Sequence, residues 1–481
     1  METRVEYTEL FIGGEWVTPS GSGVIEVMSP HTERVIGSVP AASTADVDRA
    51  VEIARAAFDS GEWTQTPLAD RIAVVTRIKD AIFARSEEFA ALISRQNGAP
   101  ASSAMRTQVL GAVAAYGAAC AVAAQFPFEE SRAGVGGPML IRHEPVGVVA
   151  AIVPWNVPQL VIAAKLAPAL LSGCAVILKP APETPLDSNL LAEICSQAGL
   201  PKGVLTVLPA ERDVSAYLVA HPGIDKVAFT GSVPAGKAIM AAAAANLTRV
   251  TLELGGKSAA IVLEDADVDQ ALPNILAGSF ANSGQACVAL TRILLPVSRY
   301  DEIAEKFAAA VAAMKVGDPT DPATVIGPMT SAAQQRRVLD YVGIGEAEGA
   351  KILTGGSVPE GLSTGWYVEP TVFGNVDNSM RIAREEIFGP VVCLIPFEDE
   401  AHAIAIANDS DLGLSGAVWT ADTEHGVEVA RQIRTGTFSV NCQRFDVVGP
   451  FGGYKNSGVG REFGPEGLAA YLEAKSIFLP A

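Results

Sequence analysis

The alternation of apolar and polar positions changes period several times along the chain. Near the start, Leu10-Phe-Ile and Glu15-Trp-Val flank Gly13-Gly14, a pair that tolerates the positive φ angles of a two-residue turn, and this predicts a β-hairpin. Residues 44–59, 68–96 and 102–124 then carry apolar side chains at helical spacing, the last stretch rich in alanine, and predict three helices. A Gly-rich stretch at 131–144 leads into the short alternating run Met139-Leu-Ile-Arg-His-Glu. It has no place in the helices before it and is read as an excursion.

From Gly147 short apolar runs alternate with helical segments, the pattern of a parallel sheet covered on both faces. Strands are predicted at 148–153, 175–178, 205–208, 227–229 and 250–254, with helices at 157–171, 186–198, 213–220 and 234–245 between them. This order predicts a doubly wound α/β nucleotide-binding sheet. A second alternating set, at 259–263, 292–296, 351–354, 391–396, 416–420 and 437–441, predicts another α/β unit. The chain closes on Glu473-Ala-Lys-Ser-Ile-Phe-Leu-Pro. Such a β-like tail needs a strand partner, and pairing with the excursion near Met139, in its own subunit or a neighbour, would form an interface sheet.

With 481 residues, the chain exceeds one ordinary core and implies at least two large lobes. Charges such as Arg381, Arg384, Asp409 and Asp411 are read as interrupting each apolar run short of the ~18 residues of a membrane span, so a soluble protein is expected. Met1-Glu-Thr-Arg-Val-Glu-Tyr fits neither a secretory signal nor an Arg-rich transit peptide, and the expected location is the cytoplasm. A net charge of −19 argues against nucleic acid or an anionic membrane as partner, because both bind through Lys/Arg clusters. The six cysteines are scattered, without metal-ligand spacing, so neither a structural metal nor a disulfide framework is expected.

Phe229-Thr-Gly-Ser-Val-Pro-Ala-Gly236 reads as a strand, a Gly turn and a helix start with Pro234 in its first turn. The free N–H groups there suit a phosphate, while the missing Lys-Ser/Thr ending argues against a nucleotide triphosphatase. Glu253-Leu-Gly-Gly-Lys-Ser258 and Ser283-Gly-Gln-Ala-Cys287 follow. Together with Pro154-Trp-Asn-Val-Pro158, Lys179-Pro-Ala-Pro-Glu183, Glu386-Ile-Phe-Gly-Pro390 and Pro450-Phe-Gly-Gly453, they make the chain resemble the aldehyde dehydrogenase superfamily over essentially its whole length.

The resemblance implies a Rossmann-like NAD(P)-binding domain at 1–124 and 145–254, an α/β catalytic domain at 255–458, and a small β oligomerisation element at 125–144 and 459–481. It implies a homo-oligomer, dimeric or tetrameric, acting on a small-molecule aldehyde. Cys287, alone most simply a buried structural thiol, becomes the nucleophile, carried on a loop, Gly284 to Ala286, read as flexible. Its thiolate would add to the carbonyl, and the adduct would lose hydride to leave a thioester. Glu253 becomes the general base that activates water against that thioester. Asn156, which alone would cap the helix after it, becomes an oxyanion donor together with the Cys287 backbone N–H. Lys165 matches a lysine implicated in proton movement. For the cofactor, the resemblance assigns Lys179 to the adenosine ribose and Glu386 and Phe388 to the nicotinamide ribose and ring. Trp155, Gly231 and Ser232 complete that shell, and 452–458 is given an architectural role without chemistry.

Two rivals are a CoA-acylating semialdehyde dehydrogenase, which would not need Glu253, and a non-catalytic relative, which would not need Cys287, Glu253 and Asn156 together. Phe445, Val447 and Val448 suggest an apolar mouth, whereas Arg292 and Arg444 leave a carboxylated aldehyde open. NAD is the expected cofactor, with NADP also accepted. Strictly NAD-preferring relatives carry a glutamate three residues after the lysine, where this chain has Pro182. Glu183, one residue later, would point away if the chain stayed extended, which predicts weak discrimination.

Overall fold

A computed structural model describes residues 4–480. Met1-Glu-Thr, on which part of the leader reading rests, and Ala481 lie outside the described residues. Two large sheets organise the chain. The first has eight strands, in the order Gly458–Val459, Arg249–Glu253, Lys226–Thr230, Val148–Ile152, Ala175–Lys179, Leu205–Val207, Leu10–Ile12 and Glu15–Val17. Its five central strands run parallel, with the two strands that lead outward on either side of Val148–Ile152 following it by separate crossovers. This is the predicted doubly wound order. The strands are apolar on both faces because helices cover both. Val149, Ala151, Val176 and Leu178 enter one core cluster, and Val148, Ala150, Ile152 and Ile177 enter the cluster on the opposite face.

The predicted hairpin forms, Phe11 opposite Trp16, and joins this sheet through Phe11 opposite Val207. At the other edge, Gly458–Val459 returns antiparallel onto Leu252 and Glu253. The second sheet has seven strands, in the order Lys351–Thr354, Thr371–Gly374, Val391–Phe397, Leu290–Pro296, Ser258–Val262, Gly416–Trp419 and Ser439–Val440. All pairs are parallel except the first. The tail Leu472–Phe478 lies antiparallel on Gly137–Pro145, with Ala474 opposite His143 and Phe478 opposite Met139, and Glu129–Gly134 completes this small sheet.

Several expectations need correction. The strand Thr371–Gly374 and the antiparallel pair Val24–Met28 and Val35–Pro40 were not foreseen. The helix expected at 68–96 is two, Leu68–Ala84 and Ser86–Asn97, broken at Arg85, whose backbone (φ −108, ψ 23) leaves the helical region. Arg85 Nε donates to Glu88 Oε2 at 2.7 Å across the break. The stretch expected at 102–124 opens in the turn Ala101–Ser103 and passes through a π-helical segment, Ala104–Val109, before Leu110–Gln125. Thr107 to Phe128 carries no charge, so charges do not interrupt every apolar run, and Ala101–Gln125 is long and apolar enough to cross a bilayer by length and composition. Val109, Ala112, Ala115, Tyr116 and Ala123 are buried in the core cluster under the first sheet, so one face of this helix packs there.

Candidate active site

Glu253 ends the Arg249–Glu253 strand, where Gly458–Val459 pairs onto it. It is 2% exposed, and neither carboxylate oxygen has a hydrogen-bond partner among the described residues. Burial and the negative charge of Glu462 push its pKa up, against the weaker pull of Lys165 and Arg461. The two glycines that follow lie in close approach, Gly256 against backbone and Gly255 against a carboxylate. A side chain on Gly255 would collide with the Glu386 carboxylate, and one on Gly256 with the Cys287 carbonyl. The backbone after Glu253 is thereby wedged between the cysteine loop and the Glu386 loop.

That cysteine loop is fastened, not flexible as expected. Asn282 (φ 50), Ser283 (φ 58) and Gly284 (φ 73) are all left-handed, a local strain that persists only where surrounding contacts dictate it. Here Asn282 Nδ2 donates to the Asn156 carbonyl at 3.0 Å, Gly327 N to Ser283 Oγ at 2.9 Å, and Thr330 N to Gln285 Oε1 at 3.0 Å. Cys287 keeps part of its surface open. Dense packing around it, with the charges of Glu386 and Glu253, pushes its thiol up to about 12.

Asn156 is 4% exposed. Its Nδ2 donates to the Gln285 carbonyl at 2.9 Å, and Asn97 Nδ2 holds its carbonyl at 3.1 Å. It does not cap the next helix, Pro158–Ser172, which starts after Val157 without a side-chain cap. Asn156 and the cysteine loop are therefore tied directly together. Lys165, fully buried in that helix, donates to Thr230 Oγ1 at 2.7 Å and pairs with Glu462. Glu462, 4% exposed, was not foreseen. The same C-terminal return carries Gly452, where a Cβ would sit 2.6 Å from Glu253 Oε1. The stretch expected to be purely architectural therefore walls in the Glu253 carboxylate.

Around this centre, Trp155 meets Phe388 edge to face at 5.3 Å. Phe388 adopts φ 64, held by Gln334 Nε2 on its carbonyl at 2.7 Å, while Arg337 Nη2 donates to the Glu386 carbonyl at 2.5 Å. Gln334 and Arg337 come from the helix Ala332–Ala347 and carry no local sequence signal of this role. The Glu386 carboxylate accepts Gly256 N at 3.0 Å, and burial pushes its pKa up to about 7. Ser232 caps the helix Val233–Ala243, with Pro234 in its first turn, and Gly231 N donates to the Glu253 carbonyl at 3.0 Å. Lys179, 7% exposed at the carboxyl end of its strand, has no hydrogen-bond or ion-pair partner among the described residues, and burial lowers its pKa to about 8. A buried cation without a partner, a helix start free of acidic residues and an aromatic pair, all along the carboxyl edge of a doubly wound sheet, fit a dinucleotide.

A recess of about 340 Å³ reaches Val288, next to Cys287, and is lined by Phe438, Cys442, Arg444, Phe445 and Phe451. Phe445 is 43% exposed and meets Phe451 and Phe463 edge to face at 5.4 and 5.5 Å. Arg292 takes no part. It is fully buried, and its guanidinium donates to the carbonyls of Lys257, Ile406 and Ala407 and to Asn378 Oδ1. The suggestion that it could meet a carboxylated substrate is thereby overturned.

Residues 16–477 match the aldehyde dehydrogenase family. The chain is 46% identical over 476 residues to geranial dehydrogenase of Castellaniella defragrans, covering 99% of each. It is 42% identical to 3-succinoylsemialdehyde-pyridine dehydrogenase of a Pseudomonas species, covering 98% of each. Among solved structures, it matches an aldehyde dehydrogenase of Mycobacterium tuberculosis complexed with NAD+ at a TM-score of 0.98 and 48% identity, covering 99% of each chain. A mutant of aldehyde dehydrogenase C from Pseudomonas syringae, in complex with NAD+ and octanal, matches at 0.97 and 42%, covering 100% of this chain and 99% of that one.

Proposed function

Because the chain belongs to the aldehyde dehydrogenase family and is an NAD-dependent aldehyde dehydrogenase, we propose that Cys287 is its nucleophile, Glu253 its general base and Asn156 its oxyanion donor. The observation that carries this reading is the wedge of Gly255 and Gly256 between the Cys287 carbonyl and Glu386, which sets base, nucleophile and cofactor loop against one another. The Cys287 thiolate adds to the aldehyde carbon, and the oxygen becomes an oxyanion. The Asn156 amide, already aimed into the cysteine loop, and the Cys287 N–H stabilise that charge, each donor contributing ~2.7–4 kcal/mol. NAD+ when bound supplies the hydride acceptor that converts this adduct to a thioester. Glu253 then takes a proton from water as the water attacks the thioester, and the acid leaves. Burial chiefly sets how readily Glu253 ionises, and the buried Lys165–Glu462 pair beside it modulates this. Lys179, Trp155, Gly231, Ser232, Glu386 and Phe388 would hold the dinucleotide, Lys179 at its adenosine ribose.

For the substrate, we favour an apolar aldehyde. The recess beside Val288 is aromatic, its rim charges Arg444 and Asp446 carry opposite signs, and Arg292 is committed elsewhere. The relatives named for geranial and crystallised with octanal point the same way. Each buried methylene is worth about 0.8 kcal/mol, roughly fourfold in kcat/KM. With NAD+, octanal and geranial should therefore exceed succinic semialdehyde and betaine aldehyde by at least about tenfold. The check is the appearance of reduced cofactor with each aldehyde. A chain that reduces NAD+ with none of them refutes the functional reading, and equal rates across the panel refute the substrate class.

We further propose a homo-oligomer built through the tail. Leu472–Phe478 is an outer strand of its sheet, and its end exposes Ile477, Phe478 and Leu479. An apolar open edge of this kind invites another chain. Removing residues 474–481 should lower the particle mass or precipitate the protein, as read by light scattering after size exclusion. An unchanged mass and solubility would exclude the tail as an interface.

A further inference from the structure

After Lys179 the backbone does not stay extended. Thr184 N donates to the Ala181 carbonyl at 3.1 Å, closing a turn with Pro182 and Glu183 at its centre, and the helix Leu186–Gln197 starts directly afterwards. Pro182 suits the second position of such a turn because its ring fixes φ. The turn keeps Glu183 at the edge of the sheet where Lys179 ends, and so the premise for weak cofactor discrimination fails.

The neighbouring strand delivers a second carboxylate to the same edge. Leu205–Val207 runs parallel to Ala175–Lys179, with Val207 level with Leu178, and Leu208 N donates to the Leu178 carbonyl at 2.8 Å. Glu211 follows within a few residues, in the last position before the helix Arg212–Ala220, where its side chain makes no capping bond. Among the described residues Glu183 bonds only its own backbone and Glu211 is bonded only at its backbone carbonyl, by Ser215, so neither carboxylate has a partner in another residue. Their negative charges nevertheless both act on Lys179 and on each other. One buried cation and two carboxylates thus gather at one sheet edge without bonding to one another.

We infer that Glu183 and Glu211 together read the ribose hydroxyls of the cofactor beside Lys179 and exclude a 2′-phosphate. This rests on the reading of Lys179 as the ribose ligand. The ammonium can donate to a ribose oxygen and the two carboxylates can accept from its hydroxyls, so a diol satisfies all three groups. A phosphate at the 2′ position offers few donors and brings its charge against two carboxylates with a single lysine to offset them. Like-charge juxtaposition of this kind is costly, most of all against the half-buried Glu183. Glu183, displaced by the turn, thereby takes over the selective role that Pro182 cannot perform.

The test compares NAD+ and NADP+ in kcat/KM with octanal, for the parent, for the double variant Glu183→Gln with Glu211→Gln, and for Glu211→Lys at its exposed position. Calorimetry of 5′-AMP against adenosine 2′,5′-bisphosphate, without aldehyde, reads the subsite apart from turnover. The parent should prefer NAD+ by at least about a hundredfold, and either variant should narrow that preference by at least about tenfold, mainly by gaining NADP+. The bisphosphate should bind the variants more tightly than the parent. If the double variant fails to fold, Glu211→Lys alone decides. A parent that uses both cofactors within tenfold overturns the inference, as does a folded variant whose preference and bisphosphate affinity match the parent's. No reduction of either cofactor by the parent would instead be a failure of the functional reading.

Discussion

Cys287→Ala should lower aldehyde oxidation by about three orders of magnitude or more, the scale on which loss of a nucleophile acts when the rest of the site remains. NAD+ binding should survive. The loop is held by Asn282, Ser283 and Gln285 and not by the cysteine side chain. Alanine also removes only one sulfur from a position whose backbone is already fixed by contact with Gly256. The measurement pairs steady-state formation of reduced cofactor with equilibrium binding of NAD+. Turnover within tenfold of the parent would mean that another thiol attacks the aldehyde. Cys442, which lines the recess, would be the one to replace next.

The parts of this site legible in the sequence are those that depend on local chemistry. The central parallel strands are apolar on both faces, so their runs of β-branched and small residues stand out without any knowledge of neighbours. Gly255 and Gly256 beside Glu253, and the Gly231–Ser232 start of a helix, are local requirements too. The break at Arg85 was hidden because neither Gly nor Pro marks it, and the strand Thr371–Gly374 because four residues carry too little pattern. Glu462 could not be found by spacing. It reaches Lys165 only because Gly458–Val459 folds back onto Leu252 and Glu253, a pairing across roughly two hundred residues. Arg292 misled for the opposite reason. Closeness to Cys287 in sequence placed it near the substrate, while the strand Leu290–Pro296 carries its side chain into carbonyl contacts instead. The turn at Pro182 had a local signal, the clustered prolines 180, 182 and 185, and an extended reading overlooked it.

Glu253→Gln should separate the two halves of the reaction. The amide keeps the shape of the carboxyl, so the fit against Gly452 is preserved, but it cannot take a proton from water. General-base catalysis typically contributes 10²–10⁴-fold, so steady-state turnover should fall by about two orders of magnitude or more, while the first turnover still yields about one equivalent of reduced cofactor per site. The pH dependence gives a second reading. A base must be ionised to act, and burial together with Glu462 raises the pKa of Glu253 above its ordinary value. In the parent, deacylation should therefore rise with pH from neutrality into the alkaline range and be lost as pH falls. The Cys287 thiol, pushed up to about 12, imposes a dependence of the same sign on the first step. In Glu253→Gln the burst rate should still rise with pH, because the thiol still has to ionise, whereas the slow phase should lose the contribution of the carboxyl and flatten. Rapid-mixing kinetics across pH 6–9 measures both phases in one experiment. A variant with no burst would place Glu253 in the deprotonation of Cys287 instead, and one whose slow phase keeps the parent's rate and pH profile would remove it from the chemistry.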